Sequence, residues 1–141
     1  MGKRREGREA AVQFLFQDDL NKTDAPALDQ ALEDFWTLRE SSLKTREFAS
    51  ELIHGVFANH EAINERIKRV TANYELHRIA AVDRNILRVA IYEMLYTSEV
   101  PPVVCINEAI EIAKRFGSEE SGRFVNGILD RLKEEVARPL R

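Results

Sequence analysis

An all-helical fold of about seven helices is predicted for the 141-residue chain. Apolar residues recur at spacings of three and four along nearly its whole length. The interruptions fall where Asn, Asp, Pro and Gly gather, and no repeat, low-complexity tract or long linker separates the segments. At 44% hydrophobic residues the chain can bury one substantial core, or two small ones packed together, without disulfides or metals.

The first helix is expected over Arg5 to Leu20, with Ala11, Val12, Leu15, Phe16 and Leu20 on one face, before Asn21 to Pro26 breaks the pattern. Asp24 or a neighbour is expected to cap the next segment, with Pro26 near its first turn and Leu28, Ala31, Leu32, Phe35 and Trp36 as its buried stripe. Trp36 reads as core. A polar break at Glu40 to Ser42 precedes a third stripe, Phe48, Ala49, Leu52, Ile53, Val56 and Phe57, ending near Asn59 and His60. Ile63, Ile67 and Val70 carry a fourth helix, with a turn expected around Asn73. The fifth, from about Ile79 to Thr97, is the most apolar and stops before Pro101 and Pro102, which makes it the expected centre of the second half. Ile106, Ala109, Ile110, Ala113 and Phe116 form the sixth stripe, supported by Glu111 four residues ahead of Arg115 and ended by Gly117 as a left-handed cap. Ser118 is then expected to cap the last helix, with Glu119 and Glu120 in its positive first turn and Phe124, Val125, Ile128, Leu129, Leu132 and Val136 inward. The expected organisation is one domain with a three-helix part over 1–59 and a four-helix part over 60–141.

A lone cysteine, Cys105, excludes an intramolecular disulfide and a Cys-based zinc cluster, and suits a reducing compartment as a small buried hydrophobe. The apolar runs are far short of the ~20 residues that span a membrane, and no signal-peptide core follows the basic start, so a cytoplasmic location is expected. Net charge is −3, so any nucleic-acid binding must come from a local concentration of cations. Such a concentration stands at the start, where Lys3, Arg4, Arg5 and Arg8 face only Glu6 and Glu9.

Catalytic marks are missing. His54, His60 and His77 have no partners at metal-ligand spacing, and there is no dinucleotide, P-loop or nucleophile-elbow motif. Glu108 and Glu111 read as a solvated helix face. No cofactor or metal and no enzymatic activity is expected. The unusual stretch is Phe116 to Gly127, with three glycines and two aromatics in twelve residues. Glycine inside a helix costs about 0.5–1 kcal/mol relative to alanine, so Gly122 and Gly127 need a reason, either close helix packing or close approach of a ligand. Arg123, Phe124 and Asn126 supply a charge, a stacking face and an amide, the set that holds single-stranded RNA, although Phe124 also fits the core stripe.

Three blocks resemble the NusB family of bacterial transcription antitermination factors. They are Lys3-Arg4-Arg5 with Arg8 and the following Ala10 to Phe16; Val82-Asp83-Arg84-Asn85-Ile86-Leu87-Arg88 through Leu95; and Ile106-Asn107-Glu108-Ala109 through Lys114, running into the glycine-rich stretch and Asn126-Gly127-Ile128-Leu129-Asp130. The blocks stand in the family's order and span most of the chain. The resemblance implies a two-part helical fold that binds the boxA element of ribosomal RNA leader transcripts. It does so with NusE, which is also a small-subunit ribosomal protein, and the complex joins the elongating RNA polymerase through other Nus factors. It further implies that Arg4, Arg5, Arg8, Glu120, Arg123 and Phe124 lie on the RNA side, and that Phe16 and Asp83 face NusE.

Glu6 and Gly7 depart from the small or basic residues often found there, which lowers local charge, so NusE is expected to be needed for tight RNA binding. Some family members pair with themselves, and the sequence leaves a homodimer open. Two other readings stand beside this one. One is a protein-only helical adaptor; the other is an RNA-targeting module related to ribosomal RNA methyltransferases, against which the length of the chain argues.

Overall fold

The structure, a computed structural model, describes residues 2–71 and 75–140. Among them are seven α-helices and no strand: α1 Lys3–Asn21, α2 Leu28–Thr37, α3 Leu43–Ala58, α4 His60–Val70, α5 Ala81–Tyr96, α6 Pro102–Phe116 and α7 Ser121–Lys133. The all-helical expectation is met. The expected turn around Asn73 lies outside the described residues.

The ends follow local chemistry. Lys22, in the left-handed region at φ 51°, closes α1, and its N–H donates to the Asp18 carbonyl at 2.6 Å. Ser42 caps α3 by accepting the Thr45 N–H at 3.2 Å. Pro102 opens α6, where a missing N–H costs nothing.

Helix α5 is buried on nearly all sides, from Asn85 through Ile91 without a break and again at Glu93 and Met94. Such a helix needs neighbours all round, and α5 packs against α1, α3, α4, α6 and α7. It is therefore central to the whole molecule and not only to the second half. Trp36 and Cys105 are buried as expected, and Phe35 meets both Phe14 and Trp36 edge-on.

Five local expectations are corrected. Leu20 is 85% exposed, because five residues beyond Leu15 is about 140° round the helix, off the stripe. Asp24 stands at the N-cap position of a short 3-10 turn over Ala25–Ala27, but its side chain makes no capping hydrogen bond. Gly117 is extended, at φ −96° and ψ −170°, and not left-handed; a Cβ there would run into the Ser121 side chain, so close approach is what favours glycine. Helix α7 starts at Ser121 and not after Ser118. The Ser121 hydroxyl accepts the Ser118 N–H at 2.9 Å, leaving Glu119 and Glu120 in the preceding turn. Finally, Arg115 turns from Glu111 to Glu9 of α1, at 2.8 Å.

Candidate functional site

The basic start of α1 divides into exposed and internal charges. Arg4 is exposed, 3.9 Å from Glu99, and its guanidinium lies 5.3 Å from the centre of the Phe48 ring. Arg5 is half-buried and holds both oxygens of Glu108 at 2.9 and 2.6 Å. Arg8 is 4% exposed. It forks onto Glu93 of α5 at 2.6 and 2.9 Å and lies 3.5 Å from Glu108. Planar guanidinium and carboxylate match in such pairs. Burial works against the Arg8 charge, but the hydrogen bonds and charge of Glu93 outweigh it and hold the guanidinium protonated. Glu108 is thus a clamp for two arginines and not the solvated face expected of it, and Arg5's hydrogen bond keeps its carboxyl below the usual range.

Gly7 lets α1 approach α3, since a Cβ there would stand 2.8 Å from the Phe48 ring. Two turns beyond Glu108, Arg115 holds both oxygens of Glu9 at 2.8 and 2.9 Å. Helix α6 therefore grips the start of α1 at two levels, and its own end leads directly into α7.

The start of α7 faces a groove of about 570 Å³ bounded by the end of α4, the segment before α5, the first turn of α5 and α7. Phe124 is half-buried in its wall, while Arg123 and Glu120 are exposed at its edge. Arg123 has no hydrogen bond or ion pair among the described residues. Gly122 meets nothing closer than 3.9 Å and Gly127 meets nothing within 4 Å, so neither glycine is explained by tight helix packing. Asp83 also lines this groove. It is 8% exposed, and its Oδ1 has no hydrogen-bond partner among the described residues.

The site residues named from the sequence are thus distributed differently from their expected grouping. Glu120, Arg123 and Phe124 are brought together as expected, but Asp83 joins them, apart from Phe16. Phe16 is 41% exposed and lies one turn from Leu20 on the outer flank of α1. Sequence reasoning missed Arg78 and Arg131, which also line the groove. It also missed the network in which Asp19 of α1 receives Arg84 at 2.9 Å, Arg88 at 3.0 Å and Asn85 at 2.7 Å from α5. Burial raises the Asp19 pKa, but those hydrogen bonds and charges bring it below the ordinary value. These partners are 65 to 69 residues apart, a separation no periodicity signals. No cluster of His, Cys, Asp or Glu among the described residues could hold a metal, and burial pushes the Cys105 thiol up to about 12. No helix among them is long and apolar enough to cross a membrane.

A model described as the NusB family matches residues 5–134. The transcription antitermination protein NusB of Desulfosudis oleivorans is 45% identical over 136 residues, covering 96% of this chain and 88% of that protein. The Bacillus cereus protein of the same name is 49% identical over 134 residues, covering 95% and 99%. Among solved structures, T. maritima NusB superposes with a TM-score of 0.84 at 42% identity, covering 98% of this chain and 94% of that one. A structure of the antitermination factors NusB and NusE in complex with dsRNA contains a chain sharing the fold, at a TM-score of 0.78 and 23% identity, with 96% and 98% covered.

Proposed function

The chain belongs to the NusB family of non-catalytic antitermination proteins, and from that premise we propose that it binds the boxA element of ribosomal RNA leader transcripts together with NusE. In this reading the pair tethers nascent RNA to the elongating polymerase, and occupancy of the RNA is its output. The observation that carries the reading is the groove at the start of α7, where a ring, an unpaired arginine and an open helix face adjoin each other. Rings stack on unpaired bases and arginines hold phosphates, whatever the sequence. On α1 the RNA-facing charge belongs to Lys3, Arg4 and the outer edge of Arg5. Arg8, the fourth cation named there, acts from within by fixing the helix that presents the others. Phe16, joined by Leu20, is the apolar part of the proposed NusE face.

The test is anisotropy titration of a labelled boxA oligonucleotide and a scrambled control, with and without NusE, at 50 and 200 mM salt. Expected are selective binding strengthened by NusE and a loss of about twentyfold between the two salts, from roughly three phosphate contacts on a single strand. Equal binding of boxA and scrambled RNA in every condition would overturn the reading. A protein-only adaptor is the second reading, favoured by Phe16 and Leu20 standing 41% and 85% exposed on one flank; it calls for partner binding that salt barely changes.

A further inference from the structure

We propose that a cleft walled by the end of α1, the end of α3 and the start of α4 binds a small organic monoanion, a carboxylate on a short apolar body, with Arg88 of α5 as its anchor. The cleft holds about 480 Å³, within the range of sites that enclose a small ligand. It shares no lining residue with the groove beside α7, so its occupancy is independent of the RNA-binding reading. Leu15, Val56 and Phe57 give it an apolar wall.

Arg88 is 7% exposed, and its hydrogen bonds leave one arm over. Nε donates to Asn64 Oδ1 at 3.1 Å, and Nη1 donates to Asp19 Oδ1 at 3.0 Å and Asn85 Oδ1 at 2.8 Å. Nη2 makes no hydrogen bond among the described residues, yet it is not sealed from solvent as the unmatched Nε atoms of Arg39, Arg46 and Arg138 are. The cleft that Arg88 lines gives it that access. Its charge is also only half matched, because Asp19 is shared with Arg84, 2.9 Å away. Desolvation outweighs what Asp19 contributes and holds the Arg88 pKa below that of an ordinary arginine. Asp18, the other acid of the cleft, is turned to the backbone and accepts the Thr23 N–H at 3.1 Å. A buried guanidinium with a free donor and half a counter-ion is completed by an anion.

Two further donors stand at the rim. Arginine only donates, so its bond fixes the Asn64 amide with the oxygen toward Arg88 and the nitrogen toward His60 Nε2, 3.3 Å away. Nε2 therefore accepts, and the neutral ring carries its proton on Nδ1. The ring is neutral at pH 7, since desolvation and then the Arg88 charge push its pKa below the ordinary 6.5. Lys22 is the one non-glycine residue with a positive φ among the described residues, at 51°, a helix end that glycine or asparagine fits with less strain. Its exposed ammonium lies at the cleft without an ion pair among the described residues. One excess positive charge suits a monoanion. A phosphate monoester, with a charge of about −1.5 to −2 at pH 7, would set the surplus beside Asp18 and Asp19, and a neutral ligand offers Nη2 only a weak acceptor.

The experiment titrates the isotope-labelled full chain at pH 7 with phenylpropionate, its neutral amide and phenyl phosphate, following backbone amide signals by NMR. The signals of Asp19, Lys22, Phe57 and His60 are expected to shift and saturate with the acid. Its Kd should lie about tenfold below that of the amide, the value of one charge-assisted hydrogen bond, and below that of phenyl phosphate. Arg88→Gln, which leaves Asp19 paired with Arg84, is expected to bring acid and amide to equal affinity, with the fold checked in the same spectra. Lys22→Asn suits the left-handed position, leaves the core untouched, and should weaken the acid about threefold; it carries the test with the parent's acid-to-amide ratio if Arg88→Gln does not fold. Equal affinity of the parent for acid and amide, tighter binding of phenyl phosphate, or shifts confined to the α7 groove would overturn the site. So would a preference for the acid that survives Arg88→Gln, an acid affinity unchanged by Lys22→Asn, or a shift that does not saturate by about 10 mM.

Discussion

The arginines at the start of α1 and those beside α7 look alike in the sequence and have opposite situations in the structure. Arg5 and Arg8 are committed to carboxylates on other helices, at 2.6 Å in the shortest contact of each, whereas Arg123 faces solvent with no such commitment among the described residues. A charge already matched inside the protein must break a strong pair before it can serve a ligand; an unmatched one need not. The difference teaches that a basic cluster is not one functional unit. Part of it builds the surface and part of it is the surface.

Arg8→Ala gives the sharpest test of that division. It strands Glu93, 2% exposed, as an uncompensated buried charge, and should cost about 3–5 kcal/mol in urea unfolding. Replacing the pair together, Arg8→Met with Glu93→Leu, should recover most of that loss. If Arg8→Ala unfolds like the parent and only RNA affinity falls, the two regions are equivalent after all. On the other side, Arg123→Ala should leave stability within about 0.5 kcal/mol while lowering boxA affinity and reducing the salt slope by about 0.7, one phosphate contact on a single strand.

Acid sharpens the contrast further. Because Arg5's hydrogen bond, and then its charge, hold the Glu108 carboxyl below its ordinary value of 4.5 against the effect of burial, the clamp adds stability that is full above that value. It is lost as pH falls through the lower folded value. Glu108→Gln should therefore flatten the stability curve below about pH 4.5, measured by urea midpoints at stepped pH. The smallest effect is expected at Gly127→Ala. With no neighbour to clash and a better helix former in place, α7 should gain about 0.5–1 kcal/mol. A loss of stability there would mean that the open face is not open.

The helices were legible because burial on a helix repeats along the chain: the stripes of α2, α3 and α6 needed nothing but spacing. The same logic fails at Leu20, an apolar residue that has already rotated off the stripe, and at Ser118, a good capping residue that stands instead in a turn closed by Ser121. The site was half legible. Glu120, Arg123 and Phe124 adjoin each other in sequence as well as in space. Glu108's clamp on Arg5 joins residues 103 apart, and Asp83's place in the α7 groove depends on how two helices dock. Neither leaves a trace in local pattern, and a carboxylate on a charged helix face looks the same whether it meets water or an arginine.

The clamps on α1 also have a mechanical consequence. The opening turns of a helix ordinarily fray, since their N–H groups lack partners within it. Here successive turns are guyed to separate supports, Arg5 to α6, Arg8 to α5, and Glu9 back to the end of α6. A pull on a strand held at Arg4 would therefore be shared among three helices instead of peeling one end, so the attachment should yield at the contact with the strand before it yields in the protein.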